Sequence, residues 1–164
     1  MRIAVIDSSP LIFLTHLGLA RELLAIFDIV YVPRAVHREV CKKSKFRSRL
    51  NRLYQTGRFA RCMAADTTNV CLLLDRLHEG EAEALIQAME KAAQFFIGDE
   101  RRAREIGKNM GLKPVGTVRL LARLHLEGRA LEPEALVRKL RREGGLRVSE
   151  NVVREATARA AEPI

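Results

Sequence analysis

The chain has 164 residues, 48% of them hydrophobic, a mean hydropathy near −0.09 and no low-complexity stretch, which excludes a disordered chain and allows one domain, 1–164, with a real core. No apolar run is long enough to span a bilayer. Cys41, Cys62 and Cys71 lack any C-x-x-C spacing, so a disulfide framework or zinc knuckle is excluded and small buried hydrophobes are expected.

In chain order, "RIAVID" (2–7) is a short aliphatic run with an abrupt stop, as in a strand buried on both faces. Asp7, Ser8, Ser9 and Pro10 interrupt it too early for a signal peptide, which points to a cytoplasmic protein. Pro10 suits the first turn of a helix reaching about Leu19. "FDIVYVP" (27–33) reads as a second strand, and Pro33 opens a helix over 34–43. Residues 42–57 are expected to be partly helical and 58–65 to hold a third strand.

A helix over 79–93 follows, with Ala82, Leu85, Ile86, Met89 and Ala93 as its apolar stripe. "AQFFIG" (93–98) is a fourth strand, 100–111 a helix ended by Gly111, and "KPVG" (113–116) a short fifth strand. Helices over 117–128, 133–143 and 149–161 complete the chain. Strands alternating with helices predict an α/β fold, a parallel sheet covered on both faces, with ligands at the carboxyl edge of its strands.

Asp7 falls on that edge, and Asp99 repeats the arrangement after the fourth strand. Either alone is most simply a helix N-cap. On helix 34–43, Glu39 is expected to point inward with Ala35, Val36 and Val40, while His37 and Arg38 point away. On the helix after Gly80, Glu81 is expected near the buried stripe, and Glu83 on the polar face with Gln87 and Glu90. Asp7, Glu39, Glu81 and Asp99 therefore have a route to one edge. Four carboxylates in a half-buried pocket repel one another unless cations join them, and oxygen-only ligation suits Mg²⁺ or Mn²⁺. One or two such ions would activate water and offset charge on a phosphoryl group.

The charge distribution supports a polyanionic substrate. The net charge is +9, and residues 42–61 carry eight bases and no acid, so the excess is local. Lys42, Lys43, Lys45, Arg47, Arg49 and Arg52, interleaved with Phe46, Tyr54 and Phe59, are candidate nucleic-acid contacts, with Arg101, Arg102 and Arg104 as weaker ones. Small-molecule phosphate chemistry is poorly supported. There is no phosphate-binding glycine loop, and the histidines, His16, His37, His78 and His125, are scattered.

Taken together, "VIDSSPLIFLTHLG", "VYVPRAVHREV", "LHEGEAEALIQA" and "FIGDERRAREIGKNMGLKPVGTVRLL" resemble the successive motifs of PIN domains, from residue 2 to about 128. They are most similar to the branch with a GEAEA segment, relatives of the VapC-type toxins. The resemblance implies a Rossmann-like three-layer α/β/α sandwich with a five-stranded parallel sheet. It also implies a Mg²⁺- or Mn²⁺-dependent endoribonuclease, often dimeric and held inactive by an antitoxin. Carried over by position, Asp7, Glu39, Glu81 and Asp99 are the implied catalytic and metal-binding acids. Ser8, Ser9 and Thr117 are implied supporting residues, and Glu100 stands where it can share the role of Asp99. Glu81 departs from the Asp found in many such toxins. The helices beyond about residue 130 are expected as additions serving dimerisation or antitoxin docking. The alternative function on the same fold is a non-catalytic nucleic-acid-binding module.

Overall fold

Alternation along three central strands sets the layers of this molecule, whose computed structural model describes residues 1–164. In β1 (Ile3–Ile6), Ala4 and Ile6 enter one buried cluster while Ile3 and Val5 enter another. In β2 (Ile29–Pro33), Val30 and Val32 join the first cluster and Tyr31 packs against the second. In β4 (Phe95–Ile97), Phe95 and Ile97 join the first and Phe96 the second. A period of two on a doubly covered sheet requires this split.

With β3 (Phe59–Cys62) and β5 (Lys113–Val115), the sheet has the order β3-β2-β1-β4-β5 and every pairing is parallel. β1 is central and entirely buried. At roughly 1.5–3 kcal/mol for each large aliphatic side chain removed from water, this four-residue strand anchors the fold out of proportion to its length.

The larger cluster lies under α1 (Ser8–Leu17), α4 (Ser44–Tyr54), α8 (Thr117–Leu126), α9 (Pro133–Glu143) and α10 (Glu150–Ala158). The smaller lies under α6 (Glu79–Glu90) and α7 (Arg101–Asn109). The three-layer α/β/α sandwich expected from the sequence is present. α3 (Arg34–Cys41) touches α1 on one side of the sheet and α6 on the other, bridging the two layers.

α9 and α10, the helices beyond about residue 130, pack into the core. Leu136, Val137, Leu140, Leu146 and Val153 belong to the larger core, and the C-terminal Ile164 carbonyl accepts a 2.9 Å hydrogen bond from Arg2. Deleting them would bare one side of α8, so part of their surface is committed inside the chain rather than to a partner.

Two short helices and a 3₁₀ turn (Ala20–Glu22) lie outside the expected set. α2 (Leu23–Ile26) is too short to show a period. α5 (Thr67–Leu73) buries no residue fully and rests only Val70 and Leu73 on the smaller cluster, a stripe too short to read as a period, although Asp66 caps it by accepting from the Asn69 amide at 3.0 Å. Other expectations are corrected. Met89 is 52% exposed, because α6 turns that face outward near its end. None of the three cysteines is buried: Cys41 and Cys62 are half-buried and Cys71 is exposed. No single helix is long and apolar enough to cross a membrane.

Candidate active site

The strand order reverses direction between β1 and β4, and the crevice outside such a reversal is where open α/β sheets bind ligands. Asp7 and Asp99 follow these two strands. Register pairs Ile6 with Ile97, and the Asp7 amide donates to the Ile97 carbonyl at 2.8 Å, so both acids leave the sheet side by side.

Asp7 occupies the N-cap position of α1 in extended backbone, yet its carboxylate makes no capping bond. Its side-chain partner is the Ser8 hydroxyl, donating to Oδ1 at 3.4 Å, and the residue is 4% exposed. Burial pushes its pKa up to about 7; the Ser8 amide opposes this, and the negative fields of Glu81, Glu39 and Asp99 add to it. A capping acid would have its charge stabilised by helix amides, as Asp66 does. Asp7 is instead a buried acid without a counter-charge.

Asp7, Ser8, Ser9, Arg38, Glu39, Lys42, His78, Glu79 and Glu81 are among the residues lining a common cavity of about 400 Å³ at this edge. α3 supplies Glu39, and the first turn of α6 supplies Glu81. Glu81 accepts from the His78 amide at 3.0 Å, so the acid that faces the cavity also fixes the helix start. Glu39 differs from expectation: it is exposed and stands at the rim rather than pointing into the core. Arg38, expected to point away, lines the cavity and pairs with Glu79.

Gly80 lets these parts approach. A Cβ there would lie 3.3 Å from Asp7 Oδ1, 3.4 Å from Val36 Cγ2 and 3.9 Å from Glu39 Oε2. Asp7 and Glu39 thus both reach toward one point beside Gly80, a backbone approach that larger residues would crowd.

Asp99 stands apart from this cavity and is half-buried. Its Oδ1 accepts from the Thr117 amide at 2.7 Å and its Oδ2 from the Thr117 hydroxyl at 2.6 Å, so it caps α8 across the crevice. Burial raises its pKa, while Thr117 and the charge of Arg104 work in the opposite direction. Arg104 therefore serves Asp99. Glu100 is exposed at the N-cap position of α7, facing solvent.

Glu83 and Gln87, expected on the polar face, are buried. Glu83 accepts from the Ala35 amide at 2.6 Å and satisfies the open N-terminus of α3 from outside that helix. Sequence periodicity placed Glu83 correctly relative to Gln87; it could not show that a second helix covers that face. Arg38, His78 and Gly80 were also missed as site residues. The glycine just before an inward-directed acid was the available signal.

The basic window departs from expectation in its aromatic members. Phe46 and Phe59 are core residues, each 2% exposed, and Tyr54 bonds to His37 Nδ1 at 2.9 Å, so none presents a free ring for base stacking. The cations themselves are exposed, and none of the eight bases in 42–61 forms an ion pair.

Asp7, Glu39 and Glu81 offer only oxygen donors around an uncompensated buried charge, which fits a hard divalent cation. In the side-chain arrangement seen, no three acidic, histidine or cysteine groups stand within joint reach of one ion. Convergence of all four acids is therefore incomplete: three share a cavity, and the fourth is held by Thr117.

A family model described as a PIN domain matches residues 3–162, including the C-terminal helices. Among solved structures, the chain is similar to a PilT N-terminus domain protein of the hyperthermophilic archaeon Sulfolobus solfataricus P2. That likeness has a TM-score of 0.54 and 19% sequence identity, over 73% of this chain and 91% of that one. No curated protein matches. With its acids at the β1/β4 reversal and a match that spans nearly every residue, the chain belongs to the PIN-domain family, whose members are generally nucleases.

Proposed function

We propose that this protein is an endoribonuclease dependent on Mg²⁺ or Mn²⁺, acting in the cytoplasm as the toxin of a toxin–antitoxin pair and working as a homodimer. The observation that carries the catalytic part is Asp7: a buried carboxylate without a counter-charge, in a solvent-open cavity shared with Glu39 and Glu81. Such a group is costly to keep ionised unless a cation joins it.

In this reading Asp7, Glu39 and Glu81 would hold the ion after drawing closer together than they stand here, and Asp99 would join them on giving up its Thr117 contacts. When bound, the divalent ion supplies Lewis acidity at the phosphoryl group. Ser8 keeps the Asp7 carboxylate oriented through Oδ1. Lys42 at the rim, with Lys43, Lys45 and Arg47 beyond it, holds the RNA backbone by charge. Arg38 is already paired with Glu79 and closes one side of the cavity.

The test is cleavage of a labelled single-stranded RNA with Mn²⁺, with Mg²⁺ and with chelator, comparing the wild type with Asp7→Asn and Asp99→Asn. Metal-dependent product from the wild type and none from either variant supports the assignment. Full activity in both variants overturns it.

A second function has its own support. Asp99 is fully occupied by Thr117, as it would be in a non-catalytic nucleic-acid-binding module that keeps the acids as helix caps. Such a module binds RNA with strong salt dependence, gives no cut product and takes up no Mn²⁺ in isothermal titration.

A further inference from the structure

A second cavity, of about 530 Å³, opens at the carboxyl end of α1, away from the acids. Arg21, Arg49, Arg52 and Thr15 are among its lining residues, and no acidic residue is. None of the three arginines forms an ion pair, although the molecule contains many. Three guanidiniums facing one hollow repel one another, and they invite an anion. Arg49 donates to the Thr15 carbonyl at 2.7 Å, which fixes that guanidinium at the cavity wall and leaves further N–H donors free.

Thr15 adds an independent observation. It is 2% exposed, and its hydroxyl is the one buried side-chain polar atom in the molecule without a hydrogen-bond partner. Thr15 also lines the cavity, so the wall that carries the guanidiniums holds an unmet hydroxyl that a bound oxyanion can satisfy.

The two cavities are joined by α1, whose Ser8 and Ser9 line the acidic one and whose Thr15 lines the basic one. Lys42, at the end of α3, lines the acidic cavity, and Arg49 and Arg52 on α4 line the basic one. Lys45, Arg49 and Arg52 recur at helical spacing, one row along α4. From Asp7 to Thr15 the α1 axis covers about 12 Å at 1.5 Å per residue. That is some three to four stacked nucleotides at roughly 3.4 Å each. We propose that the Arg21–Arg49–Arg52 cavity binds a backbone phosphate of single-stranded RNA, several nucleotides away from the bond at the acidic cavity. Planar guanidinium forks match phosphate oxygens in pairs, as lysines do not. The proposal rests on RNA being the substrate and adds a remote anchor that favours longer strands.

The experiment measures binding in chelator, so that cleavage is not required. Fluorescence anisotropy follows a labelled RNA of about 12 nucleotides and a trinucleotide across about 50–200 mM NaCl. The proteins are the wild type, the double variant Arg21→Gln/Arg52→Gln, and Thr15→Val. Both arginines are exposed, and Thr15→Val removes only an unpartnered hydroxyl, so thermal melts should stay at or above wild type. The double variant is expected to lose about tenfold in affinity for the longer RNA. Its slope of log K against log salt should fall by about 0.7, the value for one lost phosphate contact on a single strand. Thr15→Val should weaken the longer RNA in the same direction, and trinucleotide binding should change in neither.

An unchanged slope, or an equal loss for both lengths, overturns the proposal. So does inorganic phosphate binding that the double variant abolishes while RNA binding stays intact, which assigns the hollow to free phosphate. Stronger displacement of the wild type's RNA by a poly-glutamate peptide than by unlabelled RNA assigns it to an acidic protein segment and also overturns it. If the slope falls as expected but Mn²⁺ yields no product, the nuclease function fails and the anchor stands. If cleavage occurs without a slope change, the anchor alone fails.

Discussion

Replacing Asp7 with asparagine should stabilise this protein, and the effect should depend on pH. The ordinary carboxyl pKa is 3.8 and that of Asp7 in the fold is about 7, burial being the main cause. At about 1.4 kcal/mol per pKa unit, the gap corresponds to roughly 4 kcal/mol. The sign follows from proton counts. Between pH 4 and 7 the folded state keeps the Asp7 proton and the unfolded chain releases it, so stability falls as pH rises through this window and levels off above it. An asparagine side chain at this position cannot ionise and escapes the loss. Urea unfolding of Asp7→Asn in chelator should match the wild type within about 1 kcal/mol near pH 4 and exceed it by some 2–4 kcal/mol at pH 8. Millimolar Mn²⁺ should raise the wild-type midpoint at pH 8 and leave the variant unmoved, because binding to the folded state alone adds stability. A variant that is no more stable at pH 8 than at pH 4, relative to wild type, would refute the claim that Asp7 is an uncompensated buried acid.

Glu83→Ala leaves the Ala35 amide without its 2.6 Å acceptor and should cost about 1–3 kcal/mol in chemical denaturation, with RNA affinity retained. Gly80→Ala pushes a methyl to 3.3 Å from Asp7 Oδ1, and should lower Mn²⁺ affinity in calorimetry by about tenfold while the thermal midpoint moves by only a few degrees. Phe46→Ala should destabilise by about 3–5 kcal/mol, as for a core ring; little change in stability with a large loss of RNA affinity would restore it as a stacking surface. Thr117→Val removes the 2.6 Å hydroxyl contact and should raise the Asp99 pKa further, seen as a higher carboxyl midpoint by carbon-13 NMR.

The sheet was legible because its strands announce themselves twice, as β-rich runs and by the turn residues that end them; all five fall inside the expected windows. The position of Asp7 followed from the strand end alone. What the sequence could not carry was reciprocal packing between helices. Glu83 looked solvated because its own helix offers only the 3.4 Å contact from Gln87, and the 2.6 Å bond from the Ala35 amide comes with the arrival of α3. Phe46 and Phe59 stand among cations in the sequence, but α4 buries the Phe46 ring in the core with the Lys43 and Lys45 ammonium groups over it, and Phe59 is buried from β3. Glu39 neighbours the inward Val36 and Val40 in sequence, yet it is exposed and lines the cavity. Asp99 was placed correctly on the edge; its capture by Thr117 depends on a helix start eighteen residues later.

Arg2 and Ile164 meet through a hydrogen bond beside the start of β1, whereas Asp7 leaves from the end of that strand. Residues 2 and 164 can therefore be joined by a short linker and the chain reopened in the turn around Gly128, with little disturbance to the acidic crevice. A label, bead or fusion partner attached beside residue 2 or 164 would likewise point away from the acidic crevice. Surface-immobilised binding measurements on this protein should agree with those in free solution.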